Sequence, residues 1–192
     1  MKKIALAVAV VVIGLSMTSC GGGSEKAKES MIKDADEYFT KAEQTLALID
    51  NPEDFLMFAE SMKDRSDLLE SMKEKYNDKI TDEDLDAAFD VIYERATAYN
   101  KAEAEKAAEF LTPALDNFEA VVNELYAQYQ AGEALSKDKV LEFNNAFGEV
   151  MAFGDYENVL PELSNRYDAI GAKVTEMNDV ILPILDEMFP EQ

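Results

Sequence analysis

The 192-residue chain carries 40 acidic side chains against 18 lysines and arginines, a formal net charge of −22, and it contains no histidine, no tryptophan and one cysteine. Such a charge repels nucleic acid and anionic surfaces and favours cationic partners. Without histidine there is no imidazole base, no Ser-His or Cys-His nucleophile pair, no Glu-x-x-His di-iron helix and no His-ligated zinc or haem; one cysteine leaves no disulfide framework.

The chain opens with Met1, Lys2 and Lys3, an apolar run from Ile4 to Leu15, and then Ser16-Met17-Thr18-Ser19-Cys20. A transmembrane helix needs about 20 consecutive apolar residues, and this run is shorter. Two lysines, a short apolar core and small residues before a cut site are the parts of a removable signal. With Cys20 at its end, the segment resembles the signal of bacterial lipoproteins. The resemblance implies cleavage before Cys20 and a diacylglycerol on its sulfur, and Gly21 in place of Asp implies the outer membrane, with either face open. Gly21-Gly22-Gly23-Ser24 has the composition of a flexible linker. The expected organisation is a signal over 1–19, a lipidated cysteine and linker over 20–27, and a single acidic α-helical domain over 28–192. The resemblance covers only the leader and linker.

Periodicity in the body is helical nearly everywhere, with no convincing strand alternation. The first helix is expected over about residues 28 to 50, with Ile32, Ala35, Phe39, Ala42, Leu46 and Ile49 on one face. Asn51-Pro52 reads as a cap followed by proline at the first helical position. A second helix then runs to about Asn77 with the stripe Phe55, Phe58, Met62, Arg65, Leu69, Met72 and Tyr76. Ile80 to Leu85 announces the third: Thr81 caps, three acids favour the positive helix end, and Ile80 staples to Leu85. Its face includes Phe89, Ile92, Ala96 and Tyr99, and the pattern thins to alanine and charge between Asn100 and Glu109. Thr112-Pro113 leaves two outcomes open, a new helix or a kink in the old one. Leu111, Leu115, Phe118, Val122, Leu125 and Tyr129 form the next stripe, which Gly132 ends. Ser136 caps a shorter helix, with Leu135 and Val140 as staple, that closes at Gly154-Asp155. From Tyr156 to Met188 apolar residues alternate four and three apart, a heptad seam interrupted by Pro161 and Pro183. The expected fold is all-α, an elongated bundle of five or six helices with left-handed, coiled-coil-like packing, the seam buried within the chain.

Candidate sites are few. Lys79 to Asp84 resembles the second half of a calcium loop, but Lys73 and Lys75 stand where acidic ligands belong and Asp78 where the turn glycine belongs, so a helix cap explains these residues better. The methionines of the body fall mostly on apolar stripes and read as core. No metal site or cofactor is expected, and the cap-and-staple starts at Thr81 and Ser136 extend into no repeat. The three arginines, Arg65, Arg95 and Arg166, lie on or beside apolar stripes, whereas every other cation is lysine. Arginine suits partly buried, bidentate pairing with carboxylates. Two readings follow: structural ion pairs with stems packed on the core, or an anion pocket lined by Arg65 with Tyr76, Tyr99 or Tyr167 nearby.

The resemblance implies an outer-membrane anchor, and elimination of chemistry leaves an interaction or structural module of the cell envelope as the expected function, not an enzyme, with a protein partner and no nucleic acid. A helical bundle enclosing a small apolar ligand is the alternative, and a carboxylate-dependent hydrolase comes third.

Overall fold

The computed structural model of the chain describes residues 23–63, 65–156 and 161–190, with the side chains at 65–67, 155, 161 and 162 outside that description. The signal, Cys20 and the Arg65 side chain therefore lie outside the described residues. The fold is all-α. Among the described residues there are six α-helices, one short 3₁₀ turn and no strand: α1 Ser24–Leu48, α2 Pro52–Ser61, α3 Arg65–Tyr76, α4 Asp82–Gln130, α5 Lys137–Met151 and α6 Pro161–Met188. The chain divides into two compact units, the first ending at Glu103 and the second beginning at Ala104. The division falls inside α4, within the Asn100–Glu109 stretch where the large apolar residues give out.

The first unit packs α1, α2, α3 and the start of α4. Helix α1 begins at Ser24 and not near residue 28, so Ser24 to Ala27 of the expected linker are helical. Ala27 is buried one turn before Met31, which extends the apolar stripe, and the Ser24 hydroxyl accepts from the Thr81 backbone N–H at 2.8 Å. The expected second helix is two. Its first half starts as the sequence indicates, Asn51 accepting from the Asp54 N–H at 2.9 Å with Pro52 behind it. It stops where the Ser61 hydroxyl takes the Phe58 carbonyl at 2.6 Å, and the Met62 N–H is shared by two carbonyls, Phe58 and Ala59, in a tightened last turn. The break sends α3 back along α1, where Lys75 and Tyr76 both reach Asp34. Helices α1 and α4 run parallel, because their partners hold a nearly constant sequence offset: Ser24 to Thr81, 57 residues; Lys28 to Asp84, 56; Asp36 to Arg95, 59. Met31, Phe39, Phe55, Met72, Ile92 and Tyr99 fill the centre at no more than 2 % exposure. Each such large side chain contributes about 1.5–3 kcal/mol by leaving water.

The second unit is an up-down-up set: the rest of α4, then α5, then α6. Helix α4 passes through Pro113 without ending, which resolves the two outcomes left open there. Its end at Gly132 is a Schellman cap. The Gly132 N–H donates to the Tyr129 carbonyl and the Glu133 N–H to the Gln128 carbonyl, with Gly132 at φ +71°. Ser136 then caps α5 by accepting from the Lys139 N–H, and both staple residues, Leu135 and Val140, are buried. Helix α5 runs antiparallel to α4: Lys139 pairs with Glu124, while Phe143 and Phe147 lie farther back along α4 against Phe118. Helix α6 starts at Pro161 and buries Leu163, Ile170, Met177 and Ile181 of the seam; Tyr156 lies before it, in the 3₁₀ turn. Offsets of 50, 50 and 50 residues between Asp116 and Arg166, Asn123 and Lys173, and Tyr126 and Glu176 make α6 parallel to α4.

Candidate functional site

Two arginines named from the sequence act as clasps between parallel helices. Arg95 on α4 hydrogen-bonds three α1 side chains, Glu43, Asp36 and, at 3.5 Å, Thr40. Its Nη1 and Nη2 donate to the two Glu43 oxygens at 2.6 and 2.7 Å, and its Nε donates to Asp36 at 2.9 Å. The guanidinium also lies 5.7 Å from the centre of the Phe39 ring. Bonding to Glu43 and then to Asp36 raises its pKa and keeps it charged. Arg166 on α6 holds two α4 carboxylates, Glu119 at 2.6 Å and Asp116 at 2.7 Å, and these likewise raise its pKa. The two clasps belong to different units.

The tyrosines named beside an anion pocket are also accounted for. The Tyr76 hydroxyl donates to Asp34 at 2.7 Å, and burial, reinforced by that bond, pushes its pKa well above the ordinary tyrosine value. Tyr99 is fully buried with its ring 5.6 Å from that of Phe39. Tyr167 donates to the Met151 sulfur at 3.0 Å.

Two spaces stand out among the described residues, and neither is an enclosed chamber of ligand size. In the second unit Leu111, Leu115, Val150, Phe153, Leu163 and Tyr167 surround a void of about 10 Å³, room for a single water at most. In the first unit there is a larger space, an open cleft of about 440 Å³ between α1 and α4. Ile32, Ala35, Val91 and Ile92 give it an apolar lining; Glu29 and Lys33 lie on the α1 side, and Asp36 with Arg95 lies where the clasp bridges the two helices. Val91 remains 44 % exposed.

Next to this cleft α4 is densely acidic. Six acids and one base lie between Asp82 and Arg95. Asp82, Asp86, Asp90 and Glu94, all exposed, repeat every four residues and so form a row along the helix. Like charges at that spacing destabilise a helix by about 0.2–0.5 kcal/mol per pair, an effect the helix N-terminus offsets only in its first turn. Tyr93, 58 % exposed, flanks the row. Sequence reading had named neither Val91 nor Tyr93, because both fall off the Phe89, Ile92, Ala96 and Tyr99 stripe. The signal was present as two large residues beside Ile92 that its stripe does not use.

Among the described residues no group of three or more Cys, Asp or Glu side chains is arranged to hold a metal ion, and no helix is long and apolar enough to cross a membrane. No family model, curated protein or solved structure matches the chain.

Proposed function

We propose that this is a lipid-anchored module of the cell envelope, tethered through Cys20 to the outer membrane, that works by binding a protein partner and not by catalysis. The observation that carries the reading is where the chemistry lies. The cores are filled with aliphatic and aromatic side chains, Arg95 and Arg166 are occupied by carboxylates of their own unit, and the groups facing solvent include an acidic face of α4 with Val91 and Tyr93 beside it, as well as other exposed apolar side chains such as Leu48, Met57, Met151 and Leu182. Surfaces of that kind recognise other macromolecules.

The small-ligand alternative draws support from one feature, the α1/α4 cleft, whose volume lies in the range of ligand pockets. Its openness weighs against it, since ligand sites bury most of the ligand surface.

Two measurements test the proposal. Metabolic labelling with an alkyne fatty acid should mark the wild-type chain and send it to the membrane fraction, and Cys20→Ala should abolish both. Cross-linking in cells followed by affinity capture and mass spectrometry should recover one specific envelope protein, reduced in the Cys20→Ala strain. Labelling without any partner above background would leave an anchored protein of the other class and redirect the search to small molecules.

A further inference from the structure

We infer that the α1/α4 cleft of the first unit docks a basic amphipathic helix of a partner protein, an assignment that rests on the interaction-module reading. The lining supplies the first argument. Ile32, Ala35, Val91 and Ile92 form an apolar track between two parallel helices, with room for large aliphatic side chains. A helix laid in such a groove inserts residues at i, i+3 or i+4, and i+7.

Charge supplies the second. At 100° per residue, Asp90 and Glu94 lie on α4 on the flank of Val91 turned away from Arg95 and α1, while Glu29 lines the cleft from α1. The flanking positions of a docked helix thus meet carboxylates on both sides, which suits lysine and arginine. Of the cations near the cleft, Arg95 is held by Glu43 and Asp36, and Lys33, 76 % exposed, lies 3.7 Å from the Glu37 carboxylate and turns toward solvent with it. The same charge disfavours other occupants. A second copy would bring a further −22 to an acidic surface, and anionic lipid or nucleic acid would be repelled.

The test uses the protein from Cys20 onward and a fluorescent synthetic peptide of leucine and lysine, about 18 residues or five turns long, with the leucines on one face. Its affinity is followed by anisotropy at physiological salt. Two comparisons separate docking from general attraction. One is a peptide of identical composition with the leucines scattered around the helix. The other is a pair of protein variants, Val91→Lys in the cleft and Glu149→Lys on the exposed face of α5, of which the second removes more negative charge. Docking predicts that scattering the leucines and Val91→Lys each weaken binding about tenfold or more, while Glu149→Lys changes it less than about twofold. Equal binding of the two peptides, or a loss at Glu149→Lys matching that at Val91→Lys, would overturn the inference.

In cells, the photo-reactive residue p-benzoylphenylalanine replaces Val91 or Glu149 in the lipidated chain. Cross-linking of a lysine-rich amphipathic helix from position 91 supports the assignment. A partner captured through position 149 and not 91 refutes the cleft while leaving the interaction module standing, and no partner by either route removes both.

Discussion

At the scale of single residues, the two arginine clasps differ mainly in shielding. Arg95 exposes 22 % of its side chain and hydrogen-bonds three groups on α1, whereas Arg166 exposes 33 % and bonds two on α4; the carboxylate partners are about equally exposed, Asp36 and Glu43 at 62 % and 36 %, Asp116 and Glu119 at 62 % and 38 %. Solvent screening reduces the worth of the second more than that of the first. Replacement by methionine keeps the apolar stem and deletes the charge, so the expected cost is about 1–2 kcal/mol for Arg95→Met and under about 1 kcal/mol for Arg166→Met. Urea unfolding of the two variants beside wild type measures the difference; equal losses would mean that burial does not set the strength of these pairs. The sequence made both arginines visible through their place beside apolar stripes in a chain otherwise rich in lysine. It could not name their partners, because with 40 acids in the chain nearly every cation has several carboxylates within a few turns. Only the parallel register of α1 with α4, and of α4 with α6, selects Glu43 and Asp36, or Glu119 and Asp116.

At the scale of elements, apolar periodicity and caps located the helices, and the breaks were the harder part. Asn51-Pro52, Thr81 and Ser136 start helices as their side chains dictate, since each satisfies an N–H that the first turn leaves open. The break between α2 and α3 was hidden because its stripe continues in strict three-four alternation through Met62 and beyond. A stripe records which residues are buried, not whether one straight axis carries them. Pro113 was ambiguous in the opposite sense, compatible with a new helix or a continued one, and helix α4 continues through it, tolerating the missing N–H at an exposed position. Gly132 and Gly171 make a paired test of this level. A Cβ added at either meets nothing within 4 Å, so only the backbone distinguishes them. Gly132 sits at φ +71° in the cap of α4, and Gly132→Ala should cost about 1–2 kcal/mol. Gly171 lies inside α6, where alanine restricts the unfolded chain and favours the helix, so Gly171→Ala should add about 0.5–1 kcal/mol. Thermal unfolding followed by circular dichroism reads both; the same sign for the two would show that the cap does not govern the end of α4.

For the whole molecule, the decisive property is a charge of −22 on a chain without disulfides. The apolar cores must hold the fold against the mutual repulsion of carboxylates, and on α4 that repulsion is concentrated in the Asp82, Asp86, Asp90 and Glu94 row. Ion pairs such as Lys28 with Asp84, Lys75 with Asp34 and the arginine clasps offset it locally, but 18 cations cannot neutralise 40 anions. Added salt acts on the two terms in opposite directions. It weakens the exposed pairs, each worth little to begin with, and it screens the long-range repulsion, as the Debye length contracts from about 30 Å at 0.01 M to about 3 Å at 1 M. With unpaired acids in such excess, the repulsive term dominates, so the melting temperature should rise as sodium chloride is raised across that range. A variant that converts Asp86 and Asp90 to asparagine removes part of the repulsive row and should both melt higher at low salt and respond less to added salt. A melting temperature that falls with salt in the wild-type chain would reverse the ranking, making the ion pairs the stronger term. The acidic face of α4 would then be a surface stabilised by its own cations, and not one that gains by meeting those of a partner.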